Sequence, residues 1–377
     1  MEKILYLTTW AFENEKNNGI CKKINMQIEI LRSNSFNVDL SYIKEGRTYL
    51  RKNGIIIDLG ENGILGKVKA HYYLWRYLRK EIYDKVYIRY GMSDPFFIEI
   101  LKVLKKKKKT KILVEIPSYP YDKECETILM DRLNLEIDRI YRTKMRKYVD
   151  KIVTFSDDKE IFGIKTIQIS NGVMVNNIRQ RKVREGNEDI HLIAVAQFAM
   201  WHGCDRLIKG MARYYRNGGT RKVYFHLVGG GKILEEYRRI IEENALKEYV
   251  VLHGEQFGDK LDEIYDLSDI GVECLGLHRR GASMCSSLKA KEYAAKGLPI
   301  LTSCEMDQFR DKEYYFIKKF PANEDDIDIN EIINFSDEKL GRTKEFALSV
   351  SKEIRSIALQ KCDITNTFNP VVNFFVK

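Results

Sequence analysis

The sequence "CSSLKAKEYAAKGLPILTS", residues 285–303, contains a short helix with a signal at each end, followed directly by an apolar strand. Ser286 and Ser287 are residue types that cap helix N-termini, and Gly297 is a typical stop signal. These signals predict a helix over residues 288–296. A capped helix that leads straight into a buried strand is the repeating element of an α/β fold.

The same alternation of strand and helix extends along the whole chain. Strand-like segments in the first half are "KILYLTT" (3–9), "FNVDLSYI" (36–43), "KVYIRYG" (85–91), "KILVEIPSYP" (111–120) and "KIVTFS" (151–156). The second half continues with "IHLIAVAQF" (190–198), "KVYFHLVGGG" (222–231), "VVLHGE" (250–255), "IGVECLG" (270–276) and "LPILTS" (298–303). Segments with helical spacing separate them.

The fold class predicted from this pattern is α/β, with two doubly wound, Rossmann-like domains. A length of 377 residues supports the division, because single cores stop growing below that size. We place the N-terminal domain at residues 1–172 and the C-terminal domain at 173–355, with a terminal segment at 356–377.

The composition is that of an ordinary globular protein, with 44% hydrophobic and 31% charged residues. Seven cysteines without any C-x-x-C spacing favour free thiols in a reducing compartment. The chain opens on a strand-like segment, and no apolar run reaches the length that crosses a bilayer. We therefore expect a cytoplasmic protein.

The excess positive charge lies in the first half of the chain. Residues 1–172 carry 33 Lys and Arg against 23 Asp and Glu, whereas residues 173–377 carry 31 of each. Much of the excess comes from "KVLKKKKKTK" (102–111) and "RTKMRKYVDK" (142–151). An anionic membrane surface is a candidate partner for these runs, and solvated loops are the plain alternative. Nucleic acid is not expected, because the runs lack interleaved aromatic residues.

Several common cofactor motifs are missing from the sequence. Neither half has G-x-G-x-x-G after its first strand, and "VGGGK" (228–232) lacks the spacing of a P-loop. The D-x-D match "DID" (326–328) sits in a stretch whose acidity is typical of an exposed loop. Metal-ligand spacings are absent as well. We expect neither a metal nor a bound cofactor.

A series of weak motifs becomes informative through its order. It consists of "ISNGV" (169–173), "VAQFAMWHGCDRLIKG" (195–210), "HLVGGG" (226–231), "LHG" (252–254) and "SSLKAKEYAAKGLPI" (286–300). The chain resembles GT-B glycosyltransferases of the family 4 type, and most closely the bacterial branch that builds capsular and other surface polysaccharides. The resemblance covers most of the chain and is strongest over residues 171–303.

That resemblance implies two Rossmann-like domains facing across a cleft, with residues 356–377 crossing back to the first domain. It implies metal-independent transfer of a sugar, with retention, from a nucleotide-diphosphate donor, most commonly a UDP-sugar. The acceptor is expected to be a saccharide, commonly lipid-linked, which would bring the enzyme to the inner face of the cell membrane. Two alternatives stay open, namely a nucleotide-sugar epimerase of the same fold and a non-catalytic partner subunit.

The resemblance also assigns donor-binding residues around the helix at 288–296. Its N-terminus would face the donor diphosphate through the amides of Ser286, Ser287 and Leu288, where the helix dipole favours negative charge. Glu292 matches the acid that accepts hydrogen bonds from the ribose hydroxyls. The family's other acid lies eight residues earlier, where this sequence has Met284.

The basic pair that neutralises the diphosphate in the family is replaced here by Gln197 and His202. Arg206, in the same segment, could restore the charge, and Arg279 in "GLHRRGAS" (276–283) could rebuild the wall left without an acid. We predict donor contacts for the first three residues and catalytic roles for both arginines. The loop "NNG" (17–19) assigns a donor-phosphate contact to Gly19.

The acceptor site is predicted at the ends of two strands of the first domain. Arg89 and Tyr90 end one strand, and Tyr119 follows the next, so these three residues are expected to bind the acceptor. Glu115 and Asp122 lie in the same segment and are predicted to serve catalysis. Polar groups with aromatics suit sugar rings, whose faces stack and whose rims form hydrogen bonds.

Overall fold

The computed structural model describes residues 2–12, 19–106, 109–122, 129–184, 188–340 and 343–377. The chain forms two compact units. The first unit comprises Met1–Ser170 together with Thr367–Lys377, and the second comprises Asn171–Asn366.

The first unit is built on a nine-stranded sheet within the described part of the chain. Its strands are β1 (Lys3–Ala11), β2 (Asn37–Lys44), β3 (Arg47–Lys52), β4 (Ile55–Glu61), β5 (Lys85–Arg89), β6 (Lys111–Ile116), β7 (Lys151–Thr154), β8 (Glu160–Ile161) and β9 (Ile164–Gln168). Its helices are α1 (Gly19–Ser33), α2 (Gly66–Leu78), α3 (Pro95–Lys105) and α4 (Leu129–Tyr141).

The strand order is β4-β3-β2-β1-β5-β6-β7-β9-β8, and the strands from β2 to β9 in this order are parallel. The antiparallel pairs β2–β3 and β3–β4 extend one edge. The central strands read as continuous apolar runs because parallel sheets are covered on both faces. Residues of β1, β5, β6 and β7 accordingly form the core of this unit.

The second unit contains a six-stranded parallel sheet with the order β12-β11-β10-β13-β15-β17 and a short pair, β14–β16. Its strands are β10 (Ile190–Val195), β11 (Val223–Val228), β12 (Val250–Gly254), β13 (Ile270–Val272), β14 (Met284–Cys285), β15 (Ile300–Thr302), β16 (Glu305–Met306) and β17 (Ile317–Lys319). Its helices are α5 (Cys204–Arg216), α6 (Leu234–Glu243), α7 (Asp259–Leu267), α8 (Leu288–Lys296), α9 (Ile329–Leu340), α10 (Lys344–Lys361) and α11 (Ile364–Thr367).

Helix α12 (Asn369–Val376) at the end of the chain packs on the first unit. The ring of Phe368 lies 5.5 Å from that of Tyr87 on β5, and the ring of Phe375 lies 6.5 Å from that of Phe36. Helix α10 is part of the second unit and contributes Val350 to its core. The return to the first unit therefore begins after Asn366.

Strands β10 and β13 are neighbours in the second sheet, but the chain leaves them in opposite directions. From β10 it passes through α5 to β11, and from β13 it passes through β14 and α8 to β15. Such a switch point opens a crevice at the carboxyl ends of the strands, which is where open α/β sheets bind ligands. The α/β prediction is confirmed, and this crevice is the candidate ligand site of the second unit.

Three glycines make the loops at this crevice possible. A Cβ on Gly229 or Gly231 would lie 1.9 Å from the carbonyl of Ala196 and 2.2 Å from that of Phe198, respectively. Gly203 has a positive φ of 65°, and its Cβ would lie 2.4 Å from the nitrogen of Gly276. The run "VGGG" thus lets the extensions of β10 and β11 approach each other, a close approach that only glycine permits.

Within the described residues, no helix is long and apolar enough to cross a lipid bilayer.

Candidate functional site

The N-terminus of α8 lies at the switch-point crevice of the second unit. Ser287 caps it, because its Oγ accepts a hydrogen bond from the amide of Ala290 at 3.2 Å. The amides of Leu288 and Lys289 belong to the first turn, whose N–H groups have no acceptor within the helix. The helix spans Leu288–Lys296, as predicted from the sequence. The N–H groups of its first turn lie at the carboxyl edge of the sheet.

Ser286 ties this helix start to its surroundings. Its Oγ donates to Asp307 Oδ2 at 2.5 Å, and its carbonyl accepts from Asn171 Nδ2 at 2.6 Å. Lys291, buried on α8, reaches Asp307 Oδ1 at 3.0 Å. Ser286 thus fixes the position of the first turn of α8, and its hydroxyl is directed to a protein carboxylate.

A lysine and a buried acid at the crevice were not singled out from the sequence. The Nζ of Lys289 lies 3.2 Å from Oε1 of Glu273, which directly follows β13. The other oxygen, Oε2, accepts from the Ser287 hydroxyl at 2.7 Å. Burial would lower the pKa of Lys289, but Cys274 and Glu273 beside it raise that pKa well above its ordinary value. Lys289 is therefore a fixed positive charge at the start of α8.

Glu292 shares one face of α8 with Lys289, three residues earlier, and it is half-buried. The neighbouring positions Lys291 and Tyr293 are buried against the unit. Two features of the sequence indicate that Glu273, Lys289 and Glu292 could act together. They are an acid directly after an apolar strand, at Glu273, and a lysine one helical turn before Glu292.

His202 lies in a single 3-10 turn, Met200–His202, between β10 and α5. Its Nδ1 lies 3.0 Å from the amide nitrogen and 3.2 Å from the carbonyl oxygen of Ala199, so either tautomer finds a backbone partner. Burial, together with nearby Lys289, lowers the pKa of His202 to about 3. His202 is thus neutral and cannot supply the cation that the sequence suggested. Its Nε2 is a neutral hydrogen-bonding group.

Arg206 is buried, with 2% of its surface exposed. Its guanidinium donates to the carbonyls of Leu275, Asp325 (2.7 Å) and Pro321 (3.1 Å) and to the side chain of Asn323 (2.9 Å). All three guanidinium nitrogens are thus directed to protein acceptors. This corrects the prediction that Arg206 contacts the donor, because its charge is used to hold the loops after β13 and β17.

Arg279 belongs to an ion-pair network at the protein surface. Its two terminal nitrogens bind both carboxylate oxygens of Asp205 at 2.7 and 2.8 Å, and it also pairs with Glu324. Hydrogen bonds from Arg279 and His278 lower the pKa of Glu324 to about 2. The predicted catalytic role of Arg279 needs a guanidinium that can turn to substrate, whereas this one is engaged by two carboxylates.

The two other positions at which the sequence departs from the family pattern are also at this end of the unit. Gln197 is exposed after β10 and donates to Glu255 Oε1 at 3.1 Å. Met284 lies on β14, and its sulfur accepts from Arg310 at 3.6 Å. Among the described residues, no three His, Cys, Asp or Glu side chains are grouped as ligands for a metal ion.

In the first unit, Arg89 and Glu115 face each other on β5 and β6. Glu115 is fully buried, and its carboxylate accepts from Arg89, from Lys23 at 3.1 Å and from Gln27 at 2.7 Å. Burial alone would raise the pKa of Glu115, but Lys23 and Arg89 lower it to about 2. Glu115 is thus an inaccessible carboxylate, which corrects its predicted catalytic role, and Arg89 is held beneath the surface with it.

The remaining predicted acceptor residues lie in different environments. Tyr90 is buried, and its hydroxyl binds Asp138. Tyr119 is half-buried, with its ring 5.8 Å from that of Phe162. Asp122 is 30% exposed, and its hydrogen bond from Arg142 lowers its pKa. An ion-paired carboxylate of this kind is a weak base, so the geometry favours only Tyr119 as an accessible group.

Gly19 begins helix α1 and is exposed. The rest of the predicted glycine loop, at positions 17 and 18, lies outside the described residues, as do the lysines at 107 and 108. Lys105 pairs with Asp150 at 2.7 Å, whereas Lys106 and Lys109 are exposed. Lys105 is thus an ion-paired residue at the end of helix α3 and not part of a solvated loop.

No protein-family model matches the chain, and no match was found among curated protein sequences. The fold is similar to that of several solved structures. Sucrose-phosphate synthase from Thermosynechococcus elongatus aligns with a TM-score of 0.66 at 15% identity, over 100% of this chain and 98% of that one.

Anabaena HepE, solved in complex with UDP and glucose, aligns with a TM-score of 0.64 at 13% identity over the whole of both chains. A glycosyltransferase from Rickettsia africae aligns with a TM-score of 0.63 at 13% identity, over 99% of this chain and 97% of that one. These similarities and the two Rossmann-like units define the fold class. The chain has a GT-B fold.

Proposed function

We propose that this protein is a retaining glycosyltransferase of the family 4 type, which moves a hexose from a nucleotide-diphosphate donor to a saccharide. The observation that carries the proposal is the start of α8, with Lys289 in its first turn, at the switch point of the second sheet. Free amides and the helix dipole form an anion site, and the ammonium group of Lys289, which is paired with Glu273 at 3.2 Å, adds a donor beside it. A donor diphosphate carries the matching charge.

The other groups at this crevice suit the rest of a nucleotide. Glu292, on the same face of α8, can accept hydrogen bonds from both ribose hydroxyls, since a carboxylate only accepts. With its proton on Nε2, the neutral ring of His202 would donate a hydrogen bond toward a phosphate or sugar oxygen. The structure of HepE with UDP and glucose supports a UDP-sugar as the first donor to try.

The chemistry needs no protein nucleophile in this proposal. Retention is explained by attack on the face from which the diphosphate departs, so catalysis consists of stabilising the leaving phosphate and orienting the acceptor. Lys289, His202 and the amides of α8 would stabilise the developing charge. Tyr119 is the half-buried aromatic residue that we assign to the acceptor.

One observation favours an alternative function, that of a non-catalytic partner subunit. Met284 occupies the position at which the family has an acid, so one contact to the donor sugar is missing. Binding of the nucleotide without turnover would favour this alternative over the transferase.

A thermal-shift screen tests the proposed site first. We expect UDP or another nucleoside diphosphate, and the corresponding nucleotide sugar, to raise the melting temperature of the protein. A ligand at a hundred times its Kd adds about 2.7 kcal/mol of stability. Nucleosides without phosphate should have little effect, since they lack the charge that α8 attracts. A screen in which no diphosphate shifts the melting temperature would contradict the proposal.

Transfer is then measured with a labelled sugar donor and a panel of saccharide and lipid-linked saccharide acceptors. Label in the acceptor supports the transferase, and the α or β linkage in the product reports retention. Conversion of the donor sugar to its epimer without transfer would identify the epimerase instead.

We further propose that the acceptor is lipid-linked, in capsule or other surface-polysaccharide synthesis, and that the first unit docks on an anionic membrane. Exposed basic residues lie where helix α3 and the 3-10 segment Arg142–Lys147 contact each other. The exposed members are Lys102, Lys106, Lys109, Lys144, Arg146 and Lys147. Each basic residue near an anionic surface contributes about 1 kcal/mol, falling off within a Debye length.

Sedimentation with liposomes tests this docking. We expect binding to anionic but not to neutral liposomes at low salt, and a large loss of binding when Lys106, Lys109 and Arg146 are replaced by Gln. The matched control replaces three exposed lysines of the second unit, at positions 222, 260 and 352. Equal loss in both variants would show an effect of net charge and not of a docking surface.

A further inference from the structure

Three cysteines lie together beside the start of α8. Cys274 follows β13, Cys285 lies on β14, and Cys304 follows β15. They form one small apolar cluster, and the sulfurs of Cys285 and Cys304 are 3.3 Å apart. A disulfide bond measures about 2.05 Å, so these two sulfurs need to approach by only roughly 1 Å.

The two cysteines differ in exposure and in acidity. Cys285 is half-buried, and Cys304 is 5% exposed. The hydrogen bond from the Cys285 thiol lowers the pKa of Cys304; burial opposes this effect, and the Thr302 hydroxyl, 3.3 Å away, assists it. Cys285 is therefore the thiol that a small oxidant reaches more easily, and Cys304 is the neighbour able to react with it.

We propose that Cys285 and Cys304 are a modification site at which a hydroperoxide drives formation of a reversible disulfide. The thiolate of Cys285 attacks one oxygen of hydrogen peroxide, the O–O bond breaks, and the released hydroxide takes a proton to form water. Cys285 is then a sulfenic acid. The sulfur of Cys304 attacks that sulfenic sulfur and loses its proton, and the hydroxyl leaves as a second water. The two sulfurs are oxidised by two electrons and the peroxide is reduced by two.

This site is coupled to the donor site through a few short contacts. Ser286 follows Cys285 directly and makes the hydrogen bonds to Asp307 and Asn171 that fix the first turn of α8. Drawing Cys285 toward Cys304 shifts the backbone at Ser286 and with it the amides of Leu288 and Lys289. The inferred consequence, which rests on the proposed function, is that oxidation weakens nucleotide-diphosphate binding several-fold.

The disulfide itself is tested without any nucleotide. The full chain carrying Cys125→Ser is reduced and then treated with hydrogen peroxide, because Cys125 lies outside the described residues and could form links of its own. We expect loss of two hydrogens in the intact mass, a 285–304 cross-link in the peptide map, and reversal by dithiothreitol. Cys285→Ser and Cys304→Ser should each abolish the cross-link, whereas Cys274→Ser should keep it. Cys304→Ala serves as a second variant if the serine at this buried position impairs folding.

Three outcomes would overturn the proposed site: a cross-link that involves Cys274, irreversible sulfinic or sulfonic acids alone, or an unchanged mass. The coupling is tested by titrating UDP into the oxidised and the reduced protein. Equal affinities would overturn the coupling while leaving the disulfide in place. If the reduced protein binds no nucleoside diphosphate, the proposed function fails, and the disulfide is judged by the mass measurement alone.

Discussion

Replacing Glu292 by glutamine is expected to lower the affinity for the nucleotide donor by about 10- to 100-fold. Hydrogen bonds to a charged group contribute about 1.5–3 kcal/mol, and the carboxylate accepts from both ribose hydroxyls in the proposed complex. Glutamine keeps the shape of the side chain and its helix propensity but presents one acceptor and one donor group. The melting temperature of the unliganded protein should change little.

Affinity is measured by calorimetry with the nucleoside diphosphate that the thermal-shift screen selects. The corresponding 2′-deoxynucleotide provides a second measurement, because it should lose affinity for the native protein and much less for the variant. Glu263→Gln, at an exposed position on α7, is the matched control. Unchanged affinity in Glu292→Gln would remove this residue from the donor site and leave the α8 anion site to be judged on Lys289.

The second large effect is expected from Arg206→Met, which should destabilise the second unit by about 3–5 kcal/mol. The change removes at once the donors of the buried Leu275 carbonyl and of the partly buried carbonyls of Pro321 and Asp325. An unsatisfied buried polar group costs about 1–3 kcal/mol. The carbonyls concerned belong to the loops after β13 and β17, so both loops lose their anchor on α5.

Denaturant unfolding of the second unit measures this loss. Lys209→Met, on the same helix at an exposed position, is the matched control, and its free energy of unfolding should be close to that of the native protein. A variant that keeps native stability but loses donor affinity would restore Arg206 to the direct donor contact that the sequence suggested.

Helix α8 shows how much local sequence determines. The cap at Ser287 and the stop at Gly297 set the two ends of the helix through contacts within a few residues. The apolar segment that follows likewise predicted a strand directly after it. The alternation of buried strands with helices likewise predicted the α/β class, because a parallel sheet covered on both faces requires continuous apolar runs. The sequence showed that "VGGG" lacks P-loop spacing. It did not show that these glycines lie against the extension of β10.

The candidate site depended on contacts between residues far apart in the chain. A charged residue in a sequence carries no sign of whether its partners are water, substrate or protein. Arg206 and Glu115 looked accessible because each follows or ends a predicted element, yet the fold surrounds one with carbonyl groups and the other with three basic and amide side chains. Pairing of Lys289 with Glu273, sixteen residues away, arises only when β13 and α8 meet.

The sequence by itself therefore determined the buried central strands, the α/β class and the helix start that faces the crevice, because capping and hydrophobic periodicity act over one or two turns. It did not predict the antiparallel edge strands β3 and β4 or the short strands β8, β9, β14, β16 and β17. Only the tertiary structure decided which polar groups at that crevice can meet a ligand. The physical reason is that burial and contacts between distant residues arise only on folding. Burial made His202 neutral and placed Arg206 out of reach, whereas the neighbouring Glu273 kept Lys289 charged. The fold also brought the sulfurs of Cys285 and Cys304 together.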